Sequence, residues 1–313
     1  MNELLILLRS FKTHYLYMPD IALYTQSIPT DEDGKLSIRD IKSIIRSIPA
    51  GTKLIFYVSS FHFGRNEDGS AYLHLNDTDV KDLDYFFRAL IPLWTSQVEF
   101  RIMLGGAGGA YNALYTDYTT FMNLLLHFFK KYTFITGIDL DIEEELHPDA
   151  VVALERVKQI INDIEKGTSR DFAITMAPVA SSLVEPDTIG MGGFCYWDLQ
   201  KSSEWNKLEG LNIQAYGEYS SSVFKQIVST GYKPHQLRMG MLGDQFHSSN
   251  DFEQALNEIE KIGQENPDLL GTILWETGDT KIDAELWSHA MARILSSFQP
   301  KTFFSREIAW NLW

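Results

Sequence analysis

Short apolar runs rich in β-branched residues alternate with helical patterns along most of the chain. The extended runs fall at 20–25, 53–59, 100–105, 136–143, 172–178, 211–216, 237–242 and 271–275. Each has the length of a strand and is set off by turn-forming or polar residues. Between them the period changes to that of a helix. At 36–48, Ile38, Ile41, Ile44, Ile45 and Ile48 share one helical face. Similar patterns occupy 82–94, 118–131, 148–166, 221–229, 251–265 and 284–298. Strand–helix alternation predicts an α/β fold with a parallel sheet. Eight strands with intervening helices predict a (β/α)8, or TIM, barrel. No internal repeat, low-complexity segment or long linker interrupts the pattern, so one domain over residues 1–313 is expected.

One run departs from the pattern of a core strand. In FITGIDLDIEEE, residues 134–145, side chains of a strand alternate between two faces. Ile138, Leu140 and Ile142 point one way; Asp139, Asp141 and Glu143 point the other. Three carboxylates in file repel one another and resist burial. Crowded carboxylates hold protons near neutral pH, which is useful in an active site. An exposed acidic edge strand would show the same alternation, but the apolar flanks argue that both faces are covered. A calcium loop needs polar intervening residues and a turn glycine, where this run has Leu and Ile. A magnesium site on a barrel draws its carboxylates from several strands rather than one.

Composition narrows the partners. The 313 residues carry a formal charge of -15, with a 44% hydrophobic content ordinary for a globular protein. That charge disfavours nucleic acid and anionic membranes and leaves a neutral polysaccharide compatible. Cys195 is the single cysteine, so no intramolecular disulfide can form. The ELLILL run at 3–8 is too short to span a bilayer. It follows Glu3 rather than a basic segment, so no signal peptide is evident and a cytoplasmic or non-classically exported protein is expected.

Active sites of such barrels lie at the C-terminal strand ends. The third strand ends in MLGGAGGAY, where Gly105, Gly106, Gly108 and Gly109 allow close backbone approach. A phosphate-binding turn would read the same way, but no GK[ST] follows and the acidic file would repel phosphate. The fifth strand ends in TMAP, with Met176 as an apolar wall; the sixth, NIQAY, puts Gln214 and Tyr216 on one face; the eighth ends in Trp275. Taken singly, Trp275 and Tyr216 read as core residues. Together with the carboxylates they describe a pocket with an aromatic floor, an amide and a hydroxyl, suited to a sugar ring.

These motifs resemble glycoside hydrolase family 18, the chitinases and endo-β-N-acetylglucosaminidases. Its D-x-x-D-x-D-x-E signature is matched by Thr136-Gly137-Ile138-Asp139-Leu140-Asp141-Ile142-Glu143, and MLGGAGG, TMAP, NIQAY and LWET are similar to its motifs on strands three, five, six and eight. The resemblance spans roughly residues 50 to 280, with the five motifs in the family's order. It implies that Glu143 protonates the glycosidic oxygen, while the substrate's N-acetyl oxygen attacks the anomeric carbon to give an oxazolinium ion and retention. Such substrate assistance is an exception to the two-carboxylate scheme. It further implies that Asp141 orients the acetamide and Asp139 shares a proton with Asp141. Tyr216 would bind the acetamide oxygen, and Trp275 would floor the sugar beside Met176, Gln214, Gly105 and Gly106. No metal or organic cofactor is implied.

Two positions depart from the family's pattern. Thr136 replaces the first aspartate, and Gly217 follows Tyr216 where many chitinases have Asn or Asp. A single helical pattern fills 245–270, which leaves no room for the α+β insertion of one family branch, so an open cleft is expected. The resemblance implies a monomer that binds chitin or another N-acetylglucosamine oligosaccharide. The chitobiose core of N-glycans is the alternative substrate. An inactive lectin on the same barrel is a third reading, opposed by the presence of Asp139, Asp141, Glu143, Tyr216 and Trp275.

Overall fold

The computed structural model describes residues 19–168, 171–246, 248–278 and 283–298. The ELLILL run lies outside the described residues. Strands are β1 (Asp20–Thr25), β2 (Leu54–Arg65), β3 (Ala71–Leu75), β4 (Thr78–Asp79), β5 (Val98–Gly105), β6 (Ile135–Asp141), β7 (Ala173–Met176), β8 (Gly210–Gln214), β9 (Leu237–Leu242) and β10 (Gly271–Trp275). Helices are α1 (Arg39–Ser47), α2 (Asp84–Leu90), α3 (Tyr111–Thr116), α4 (Tyr118–Lys131), α5 (Ala150–Thr168), α6 (Tyr196–Gln200), α7 (Ser221–Ser229), α8 (Ser249–Glu265) and α9 (Ala284–Ser297). Eight strands pair in parallel in the order β1-β2-β5-β6-β7-β8-β9-β10. Pairing of β10 with β1 closes the sheet into a (β/α)8 barrel.

Alternation along each strand separates two cores. Ile21, Leu23, Leu54, Phe56 and Val58 face outward into the large cluster shared with the helices. Ala22, Tyr24, Ile55, Tyr57, Met103 and Ile273 form a smaller, separate cluster against which Trp275 packs. The interior also carries polar and charged side chains: Asp20, Arg101, Asp139, Thr175, Asn212 and Arg238 are all buried.

Three expected strands, 20–25, 237–242 and 271–275, have the observed limits. Three others, β6, β7 and β8, stop two residues early, so that Glu143 lies two residues beyond β6 and Tyr216 two beyond β8. The second strand runs past residue 59 into an unexpected hairpin. Its register against β5 shifts between Val58 and Phe61, and its end pairs antiparallel with β3. The alternation of Phe61 and Phe63 with Leu73 and Leu75 around a turn at Gly69 (φ +83°) is the signal for it. Pro92 accompanies the break-up of the pattern at 82–94, where α2 is flanked by 3-10 turns. After β9, a 3-10 turn and α8 lead to β10, with no α+β insertion among the described residues. None of the described helices is long and apolar enough to cross a membrane.

Candidate active site

The glycine loop is shaped by what it passes. Gly105, Gly106, Gly108 and Gly109 all have positive φ, from +70° to +112°. A Cβ on Gly105 would sit 2.2 Å from the Asp141 carbonyl oxygen, so only glycine lets β5 end there. The Gly106 N–H donates to that same oxygen at 2.9 Å, and the Glu144 carboxylate accepts from the Tyr111 N–H that opens α3. The loop is thereby fastened to the end of β6.

Beside it the carboxylate file is graded by burial. Asp139 is fully enclosed, Asp141 buried and Glu143 half-buried. Asp139 accepts from Tyr24 Oη (2.6 Å), Thr175 Oγ1 (2.6 Å) and Asn212 Nδ2 (3.0 Å). Burial pushes its carboxyl up to about 6, while these hydrogen bonds and the Arg238 charge oppose the rise. Asp141 is pushed well above the carboxylate range, first by burial, then by Glu143 and Asp139, against the hydrogen bond from Gln214. The two aspartates therefore favour holding a proton in the folded chain.

Gln214 joins the groups of the mouth. Its Nε2 donates to Asp141 Oδ1 (3.0 Å) and to the Ala177 carbonyl (2.9 Å), and lies 3.2 Å from Glu143 Oε1. The carbonyl contact fixes which end of the amide faces the carboxylates. Tyr216 is half-buried, and its phenol is pushed well above its usual value by burial and then by Asp141, Glu143 and Asp139. Trp275 is half-buried with its ring 5.0 Å from that of Tyr24, which itself holds Asp139. Glu143, Asp141, Asp139, Gln214, Tyr216 and Trp275 thus converge on the C-terminal mouth, with Gly105 and Gly106 at its edge. Met176 lies apart from them: it is fully enclosed in the outward-facing core.

Beneath the file lies a buried ionic lattice. Arg238 donates to Asp20, Glu209 and, at 3.2 Å, to Asn212 Oδ1, while Arg101 binds Glu99, Glu209 and the Tyr57 hydroxyl. Tyr57 Oη meets Thr175 Oγ1 at 3.2 Å, which returns the network to Asp139. Thr136 sits at a bulge where β5 and β6 shift register, and its hydroxyl lies 3.2 Å from Glu99 Oε2. A glutamate on the neighbouring strand therefore stands beside the position where the first aspartate of the signature is missing.

Thr175 and Asn212 open the TMAP and NIQAY motifs but receive no role there, and Tyr24 and Arg238 lie outside the motifs. Asn212 was within reach, two residues before Gln214 on the same strand face, and so was Arg238, a lone charge in an apolar run. Among the described residues, no three His, Cys, Asp or Glu side chains are placed to hold a metal ion. A recess of about 840 Å³ opens next to the mouth, sharing Trp275 with it, passing Gly108 and Gly109 of the glycine loop and reaching His62 and His74 on the β2–β3 hairpin.

No protein-family model and no curated protein matches the chain. Solved structures do. A fungal endo-β-N-acetylglucosaminidase from glycosyl hydrolase family 18 is 24% identical, with TM-score 0.71 over 90% of this chain and 98% of that one. A chitinase from Aspergillus fumigatus is 22% identical, TM-score 0.67, over 88% and 99%. The chain has the fold of glycoside hydrolase family 18 enzymes. The fold also extends to the Bacillus cereus spore cortex-lytic enzyme SleL, 12% identical with TM-score 0.58, matched over 90% of this chain and 74% of that one.

Proposed function

We propose that this chain is a retaining glycosidase of the family 18 type that cuts β-1,4 linkages of N-acetylglucosamine by substrate assistance. The observation that carries the reading is the graded file Asp139–Asp141–Glu143 with the Gln214 amide across its outer pair, at the mouth where barrel enzymes react. In this reading Glu143, the most accessible of the three, protonates the leaving oxygen and then draws a proton from water. Asp141 turns toward the acetamide N–H and opposes the positive charge of the oxazolinium ion. Asp139, which has donors on both of its oxygens, takes the shared proton when Asp141 ionises. Tyr216 donates to the acetamide oxygen, and Trp275 supports the distorted ring.

Glu143→Gln is expected to keep the fold and lose turnover by roughly 10²–10⁴-fold or more, since one residue serves both proton transfers. NMR of the first-formed product should show the β-anomer from a β-linked chitooligosaccharide; initial α-anomer would sink substrate assistance. Cellulose, which lacks the acetamide, should not be cut. Cleavage inside the chitobiose core of N-glycans is the second reading of the same chemistry, favoured by the breadth of the recess beside Trp275.

A further inference from the structure

We propose that the loop after β7 and the segment leading from β6 into α5 form a docking surface for a cationic polypeptide segment that also carries apolar side chains. Eight large apolar side chains are exposed among the described residues, and four of them stand here. Val151 and Val152, in the first turn of α5, are exposed by 69% and 38%. Ile189 and Met191, in the loop after β7, are exposed by 53% and 46%. Single exposed apolar residues are ordinary, but such a concentration marks an interaction surface.

The two segments are fastened to each other. The Leu146 N–H donates to the Gly192 carbonyl at 3.1 Å. A Cβ on Gly193 would lie 3.1 Å from the His147 carbonyl oxygen and 3.8 Å from Ala153 Cβ. The loop after β7 is also held within itself. Ile189 pairs with Cys195, whose thiol donates to the Pro186 carbonyl at 2.8 Å. The surface is therefore pre-formed, and docking has little chain to order. It borders the mouth, because Gly192 packs on Ile142, the neighbour of Glu143.

Charge selects the occupant. Residues 132–155 and 171–200 contain no lysine or arginine. Glu145, Asp149, Glu185 and Asp187, by contrast, are all exposed on these segments. Arg156, the first cation along α5, turns inward to the Leu146 carbonyl and the Tyr115 ring. Asp149 accepts from the Val151 and Val152 N–H groups at 2.9 and 3.4 Å, which closes this helix end to anions. A second copy docked through the same surface would set carboxylates against carboxylates, and an anionic lipid surface would be repelled. None of the four apolar side chains is aromatic, so they offer no platform to a sugar ring. Lysine or arginine interleaved with aliphatic side chains matches both the apolar centre and the acidic rim.

The test is an NMR titration of the whole protein, labelled at its nine methionine methyls, with a twelve-residue peptide of alternating lysine and leucine. Met191 is assigned through Met191→Leu. A saturable shift at Met191 is expected, with the buried Met176 and Met239 unmoved. Fluorescence anisotropy of the labelled peptide gives the Kd. Val151→Ser with Ile189→Ser should weaken binding about tenfold or more, through lost apolar burial. Glu185→Gln with Asp187→Asn should weaken it about three- to tenfold at low salt and less at high salt. Glu253→Gln with Glu260→Gln removes the same charge from α8 and should change the Kd less than about twofold. Every altered residue is exposed, so the variants keep the fold. An unmoved Met191, an equal effect of the two charge-removing pairs, or equal affinity for a lysine–serine peptide would overturn the surface. Partition into phosphatidylcholine vesicles without peptide binding would overturn it too, and assign the patch to a membrane. Turnover of a chromogenic chitobioside, read separately, bears on the glycosidase proposal alone.

Discussion

At the residue scale, the three carboxylates differ in burial, and burial sets their work. In the proposed mechanism Asp141 and Tyr216 both face the acetamide, and only Asp141 is assigned to the developing positive charge. Asp141→Asn should therefore lower kcat with little change in KM. Tyr216→Phe removes one neutral donor, ordinarily about 0.5–1.5 kcal/mol, and somewhat more as its partner gains charge. Steady-state kinetics on one chromogenic chitobioside should rank Asp141→Asn as the more damaging; the reverse order removes charge stabilisation from Asp141. Asp139 carries a pH prediction. Its carboxyl rises from 3.8 to about 6 on folding, so between those values the folded chain keeps a proton that the unfolded chain releases. The stability this contributes is complete below about pH 4 and lost as pH rises through about 6. Asp139→Asn cannot titrate. Wild-type unfolding free energy minus that of the variant should fall by on the order of 3 kcal/mol from pH 4 to pH 7. A flat or rising difference in urea unfolding would contradict the assignment.

At the scale of elements, the site depends on how strand ends and loops are fitted together. The glycine loop after β5 is threaded against the carbonyl of Asp141, and Glu144, next to the proposed acid, fastens the start of α3. Gly105→Ala has to accommodate both φ +99° and a Cβ 2.2 Å from a backbone oxygen. We expect a stability loss exceeding the roughly 1–3 kcal/mol of a strained residue, with lowered turnover because Asp141 moves with the loop. Thermal unfolding checks the first effect; retention of the wild-type Tm would mean the loop relaxes freely. The β2–β3 hairpin shows the converse case. Its second strand, β3, pairs with the end of β2 and with β4 outside the closed barrel, yet the hairpin builds one wall of the recess.

For the whole molecule, the barrel interior holds buried charge pairs beside its small apolar cluster. Arg238 is fully enclosed, and its guanidinium satisfies Asp20, Glu209 and Asn212 together. Removing one partner from a buried pair typically costs about 3–5 kcal/mol, because the remaining charges stay buried. Arg238→Met should cost that much in urea unfolding, whereas Asp40→Asn, at the exposed Arg39–Asp40 pair, should cost under about 1 kcal/mol. Similar values for the two would show that Asp20 and Glu209 find other partners.

The hydrophobic pattern alone determined the strand–helix alternation, hence the barrel, because periods of 2 and 3.6 follow directly from which side chains face the core. It also placed Asp139, Asp141 and Glu143 on one side, and Gln214 Nε2 reaches both Asp141 and Glu143. Tertiary structure decided what surrounds them. Tyr24, Thr175 and Asn212 come from three other strands and meet Asp139 inside the barrel, where Arg238 from a fourth strand holds Asn212. The same closure sent Met176 outward into the core and set Glu99 beside Thr136 across a bulge. A linear pattern fixes the face of each strand, but the neighbours across the barrel depend on register and shear, which arise from pairing between distant segments.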